Sequence, residues 1–191
     1  MRLVYGFGVN DSDFCTQPVV NGKQIMCKEY SDWKHMIKRA YSKKYQSKRP
    51  TYVGVSVCDE WRSFMSFREW WLDNHVDGWE LDKDILTDNR QYSPESCIYV
   101  PSWLNSFVTN RSCRSHLPVG VDIHKSRNSY RARCYNTKTC KQEDLGRFKD
   151  EVSAHEAWRN RKIEIAKQMK EEMDAIDVRI FSRIVEVINR A

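Results

Sequence analysis

The apolar residues of this chain change their period once in its second half, between Asn136 and Val152, and that change limits the folds open to it. In SYRARCYN, Ser129 to Asn136, the residues Tyr130, Ala132 and Cys134 alternate with Arg131, Arg133 and Tyr135. A period of two puts the first three on one face of a strand and the last three on the other. Beyond Val152 the apolar positions fall in steps of three and four, through Met169, Met173, Ile176, Ile180, Ile184 and Val187, the spacing of one helix face. A strand that turns a small residue such as Ala132 to one side predicts close helix packing there, with the two arginines on the open side.

Three strands fit residues 118–148: Val119–Lys125, Ser129–Asn136 and Asp144–Phe148, joined by the turn-like SRN and TKTCKQE. The helix is expected from about Val152 to near Asn189. As one piece it would be about 55 Å long at ~1.5 Å per residue, more than a small sheet can cover. Its distal stripe therefore needs another surface, either the first half of the chain or a twin in a homodimer.

The first half reads as mixed α and β. Gly6, Gly8, Pro18 and Gly22 mark an irregular arm or short hairpin over about residues 1–30. Trp33, Met36, Ile37 and Tyr41 lie at helical spacing, with Ser31 as candidate cap and a basic back in KHMIKRAYSKKYQSKRP. After an extended β-branched run, Trp61, Phe64, Phe67 and Trp71 form an aromatic stripe, read as core rather than as a cofactor site. WELDKDILTDNRQYSPESC is extended on both sides of a polar loop, and PSWLNSFVTN reads as a helix opened by Pro101 or Ser102. The polar NRSCRSHL, 110–117, has the composition of a linker between two modules.

A net charge of +6 favours an anionic partner, and its distribution says more than its size. Lys and Arg concentrate at 34–50 and 124–141, while Asp and Glu collect at 69–95 and along the C-terminal helix. Seven cysteines without a C-x-x-C pair argue against a disulfide framework, and Cys134 with Cys140 alone is a poor zinc signature. No apolar run approaches the ~20 residues of a membrane span, and MRLVYGFGVND is too short and polar for a signal peptide. The expectation is a cytoplasmic chain, in the bacterial host if a phage encodes it, with no membrane partner.

The run LDKDIL…NRQYSPESCIYVPSWLN resembles the HNH (ββα-metal) endonucleases of bacteriophages, and VCDEWRSFMSFREWW and YSDWKHMIKRAYS extend the likeness over most of residues 5–110. The resemblance implies a ββα-metal module within 1–110, with Asp82 as metal-binding carboxylate and Asn105 as the helix ligand of Mg²⁺ or Mn²⁺. Such a cation stabilises the leaving oxygen and the charge on the scissile phosphate while a neutral imidazole takes a proton from the attacking water. Lys83 stands where the family has that histidine, and Ser96 where many members have asparagine. A lysine is ordinarily protonated at neutral pH, so Lys83 suits a phosphate clamp better than a base. Asp84 or Glu80 is left as the candidate base, and the implied catalytic set is Asp82, Lys83, Asp84 and Asn105.

LPVGVDIHKSRNSYRARCYN…DLGRFKDEVSAHEAWRNRK resembles the APETALA-type DNA-binding domain over about 117–167, leaving 168–191 as an extension of the helix. Antiparallel ribbons enter the major groove, where Arg reaches guanine O6 and N7 in bidentate fashion. Arg131, Arg133, Tyr135 and Arg147 on the strands, with Lys125, Arg127 and Lys138 in the turns, are the candidate contacts; Lys43 and Lys44 on the basic helix are candidate phosphate contacts. The expected fold is α+β, a ββα-metal module followed by a three-stranded antiparallel sheet packed on a long C-terminal helix. The expected function is a double-stranded DNA-binding protein of phage type that nicks DNA with a metal. The alternative is a catalytically inactive regulator or architectural protein on a nuclease scaffold. A host protein docked on the Trp-rich surface is a third reading.

Overall fold

A computed structural model describes residues 3–108, 117–124 and 129–191. Its contacts divide the chain into two compact units, Met1–Pro101 and Ser102–Ala191. All but Leu117 of the expected linker lies outside the described residues.

The first unit forms around aromatic residues. The arm carries a two-stranded hairpin, β1 (Val19–Val20) with β2 (Lys23–Gln24). Upstream of it Gly8 lies against Trp33, where a Cβ would come within 2.6 Å of the indole. α1 (Lys28–Tyr41) buries Tyr30, Trp33, Met36, Ile37 and Ala40. Cys27 rather than Ser31 stands at its N-cap, because the helix starts one turn before the first expected position. The basic stretch is two helices: α1 stops at Ser42, whose hydroxyl accepts the Tyr45 N–H and opens α2 (Lys43–Lys48). A 3₁₀ turn at Pro50–Tyr52 leads to β3 (Ser56–Val57), and a second, Glu60–Arg62, to α3 (Phe64–Asn74), capped by Ser63. Trp61, Phe64 and Phe67 are buried as the stripe predicts, and the Trp33 indole N–H donates to the Trp61 carbonyl at 2.8 Å.

β4 (Glu80–Asp82) pairs antiparallel with β6 (Ile98–Val100), placing Asp82 opposite Ile98. The polar loop between them also contributes β5 (Gln91–Tyr92), which pairs in parallel with β3. Pro101 then ends the unit, and the following helix, α4 (Ser102–Val108), belongs to the second. The α+β class holds, but the strands and the helix of the expected ββα module fall in different units, so one such body is not established.

In the second unit β7 (Val121–His124), β8 (Ser129–Asn136) and β9 (Lys141–Phe148) form an antiparallel sheet in that order. α5 (Glu151–Gln168), opened by Asp150, packs against all three strands. Ala132 is fully buried between Val121 and Gly146 in the register, and Val121, Ala132 and Ala154 form the centre of the contact. Gly120, at φ +81°, lies so close to Trp158 of α5 that a Cβ would meet the indole at 2.1 Å. Only glycine satisfies both the backbone and the space there.

The expected single helix is a correction: it is three. α5 ends at Met169, α6 spans Lys170–Asp174, and α7 spans Arg179–Asn189. Asp177 accepts the Arg179 N–H at 2.8 Å just ahead of α7, whose N-cap position is Val178. The reason is burial. By turning back, α7 packs on α5 and puts Ile180, Ile184 and Ile188 out of solvent, which an unbroken helix would leave exposed. Of the stripe that suggested a twin, Met169, Met173, Ile180 and Ile184 are buried by their own chain. Lys162, in the middle of α5, is also buried, its amine 3.6 Å from the centroid of Phe107 on α4. Burial pulls its pKa down to about 8, against a smaller upward pull from the Cys134 thiol. Among the described residues no helix is long and apolar enough to cross a membrane.

Candidate nucleic-acid interface

Two places carry the chemistry that the sequence singles out, one in each unit. At the end of β4, Asp82 is a turn-forming residue: its Oδ1 accepts the N–H groups of Asp84 at 2.7 Å and Ile85 at 2.8 Å. That geometry fixes the Asp82–Ile85 turn and uses one carboxylate oxygen, leaving Oδ2 as the atom that can approach a cation. Burial raises the Asp82 pKa, opposed by the same two backbone donors. Lys83, the expected phosphate clamp, is buried. It is 5% exposed, pairs with Asp84, and lies 5.6 Å from the centroid of the Tyr92 ring. Its neighbours therefore occupy the ammonium, and a DNA phosphate has little of it to meet. Ser96 is fully buried and ties the loop together, with its hydroxyl on the Gln91 carbonyl at 2.5 Å and on Ser93 at 3.1 Å. Asn105 is half-buried on α4, in the other unit from Asp82.

The second place is the sheet face turned away from α5. The register sets Arg131 between Asp122 of β7 and Arg147 of β9, and Arg133 opposite Asp144, with a bulge between Ala132 and Arg133. Tyr135, 49% exposed, faces Gln142. The face thus presents three guanidinium groups in a patch with two carboxylates, which the sequence analysis did not place there. Asp122 bridges the central pair: its carboxylate lies 3.6 Å from Arg131 and in closer contact with Arg133. Asp144 spends one oxygen on the Gly146 N–H at the bulge. The Nε atoms of Arg131 and Arg133 are buried and have no hydrogen-bond partner among the described residues, so contact with a ligand falls to the outer ends of the two partly exposed guanidinium groups, whose charge Asp122 partly offsets.

The remaining candidates do not all gather on this face. Lys138 reaches the end of α5 instead, donating to the Gln168 carbonyl at 3.2 Å and lying 3.7 Å from Glu172. The reason is the turn: Asn136 accepts the N–H groups of Lys138 and Thr139 and directs the lysine to the helix side. Lys125 and Arg127 lie outside the described residues. Lys43 and Lys44 are exposed at the start of α2, in the first unit. Sequence reasoning missed Asp122 and also Glu143, which Arg161 of α5 grips at 2.6 Å and 3.0 Å on the helix side. The Arg161 bonds, seconded by Asn136, hold the Glu143 carboxyl down to about 2. Their signal is positional only, since cross-strand partners follow from register and not from local pattern.

Among the described residues no group of three or more His, Cys, Asp or Glu side chains is placed to hold a metal. Comparison of the chain with protein-family models, with curated proteins and with solved structures finds no match.

Proposed function

We propose that the chain binds double-stranded DNA through the sheet face of its second unit, with Arg131, Arg133, Arg147 and Tyr135 as the contacting residues. One observation carries this reading: the three arginines form a contiguous cross-strand patch on the face that α5 leaves open. A three-stranded ribbon of that kind fits the major groove, and each bidentate Arg–guanine contact discriminates by ~1–3 kcal/mol. Asp122 and Asp144 lower the general attraction for phosphate and so raise the share of binding that comes from directed contacts. Binding of the parent and of Arg131→Ala to a selected site and to random duplex tests it. Loss confined to the selected site supports base reading, and equal affinities of parent and variant on both would end it.

The second reading is metal-dependent nicking by the first unit, favoured by the antiparallel β4–β6 pair with Asp82 at a strand end. Asp82 Oδ2 is a hard oxygen donor suited to Mg²⁺ or Mn²⁺, which would stabilise the leaving oxygen. With Lys83 buried, only Asp84 or Glu80 remains to take a proton from water. Supercoiled plasmid incubated with the protein and either ion should be nicked, and Asp82→Asn should abolish nicking while keeping DNA affinity. Intact plasmid under both ions leaves the non-catalytic regulator.

A further inference from the structure

On the first unit, His35, Lys38 and Arg39 of α1 and Tyr45 of α2 line a cleft of about 250 Å³. Residues three and four apart share one helix face, so the three nitrogen-bearing side chains are neighbours, and no carboxylate is among the lining residues. The partners that hold them are aromatic. The Lys38 amine lies 5.3 Å from the centroid of Tyr45 and the Arg39 guanidinium 6.0 Å from that of Tyr52, and Arg39 also hydrogen-bonds Tyr92. Tyr45 and Tyr52 pack on each other at 5.7 Å. Aromatic rings and phenols fix a cation without cancelling its charge. Of the carboxylates around the cleft, Asp32 already accepts hydrogen bonds from the Trp71 indole at 3.0 Å and the Tyr99 hydroxyl at 2.9 Å, and Asp82 and Asp84 lie on the side of Tyr52. A pre-positioned, uncompensated pair of cations in a concave site is built for an anion.

We propose that this cleft binds a phosphate group, with Lys38 and Arg39 as the charge-assisted donors and Tyr45 against the ester side. The volume is below the ~300–1,000 Å³ typical of whole small-molecule sites, which suits a phosphate and its adjoining atoms rather than a complete nucleotide. The same chemistry can come from a nucleic-acid backbone or from free phosphate or its monoester. The cleft lies in the first unit, and the proposal stands whether or not the sheet face of the second unit binds DNA. His35 supplies a reporter. Burial and the neighbouring Arg39, Lys38 and Lys34, against an opposing Asp32, hold its imidazole below the ordinary value, and a bound phosphate reverses that field.

The experiment follows the five histidine ring resonances of the full chain, with His35 assigned through His35→Gln, as inorganic phosphate is added in place of chloride at constant ionic strength. The His35 signal should move saturably. Lys38→Ala and Arg39→Lys should each raise the phosphate Kd by about tenfold, the loss of one charge-assisted contact. Lys48→Ala, outside the cleft, should leave it unchanged and controls for general charge. A short random duplex that displaces phosphate assigns the site to the nucleic-acid backbone. A duplex that does not, beside thymidine 5′-monophosphate that does, assigns it to a free monoester, and displacement by neither assigns it to phosphate itself. No saturable movement with phosphate, or an unchanged Kd in both folded variants, overturns the proposal.

Discussion

The turn after β4 and the open face of the β7–β8–β9 sheet were both expected to meet DNA phosphate or bases, and the fold treats their charges in opposite ways. At the turn the lysine goes inward: Lys83 is buried, paired with Asp84 and set near Tyr92, while the Asp82 carboxylate holds backbone N–H groups. On the sheet the arginines stay outward, restrained by Asp122 across the strand. Both places set cations beside aspartates, and burial decides what the cations can do. A cation with a partner on every side stabilises its own loop, whereas one held on a single side still has donors for a ligand.

The comparison requires that the sheet face depend on its helix, and the largest effect tests that. Gly120→Ala puts a Cβ into the Trp158 ring at a positive φ, and it should cost roughly 3 kcal/mol or more of the second unit's stability. Calorimetry should show that unit melting early, and DNA binding should fail with it. Binding that survives loss of the sheet would move the interface elsewhere. The next effect sharpens what burial alone does. Lys162 has a lowered folded pKa, so the unfolded chain binds more protons between about 8 and the ordinary 10.5. Stability should therefore rise with pH through that window, by up to ~3 kcal/mol at ~1.4 kcal/mol per pH unit, less what the Phe107 face returns to the ammonium. Lys162→Met should flatten the rise in urea melts across that range and stabilise the protein at pH 7. A flat parent profile would mean that the ammonium is not disfavoured in the fold.

Between the two regions the decisive contrast is in DNA affinity. Arg131→Ala should lose ~1–3 kcal/mol on a selected site, whereas Lys43→Ala should weaken selected and random duplexes alike, by less, and lower the salt slope. Lys83→Met is the smallest: it should leave DNA affinity within about twofold, because the ammonium it removes is already buried. A fall as large as that of Arg131→Ala would return Lys83 to the role of clamp.

Much of the second unit was legible. The period of two in Tyr130, Ala132 and Cys134 gave the face that α5 covers, because alternation along a strand needs no knowledge of its neighbours. In the first unit the stripes of α1 and of Trp61, Phe64 and Phe67 were legible for the same reason at a period of 3.6. The helix break was not. Apolar steps of three and four run through Met173, Ile176 and Ile180 on both sides of it, and the one local mark is Asp177, whose bond to the Arg179 N–H only the folded backbone shows. Asp122 was invisible as a partner because its distance to Arg133 depends on the pairing of β7 with β8. Burial of Lys83 was hidden too, since nothing local to Asp-Lys-Asp shows that Tyr92, nine residues on, is folded near it.

Asp122 also allows the most direct test of the claim that the sheet face binds DNA. Removal of its carboxylate should help most, since it pairs with both Arg131 and Arg133 and would repel phosphate. Fluorescence anisotropy of labelled random duplex, measured across a salt series, reads this for Asp122→Asn in a protein whose melting point is unchanged. The account predicts tighter binding, by about three- to tenfold at low salt, with a steeper salt slope. Affinity and slope equal to those of the parent would contradict it and remove the sheet face as the DNA-binding surface.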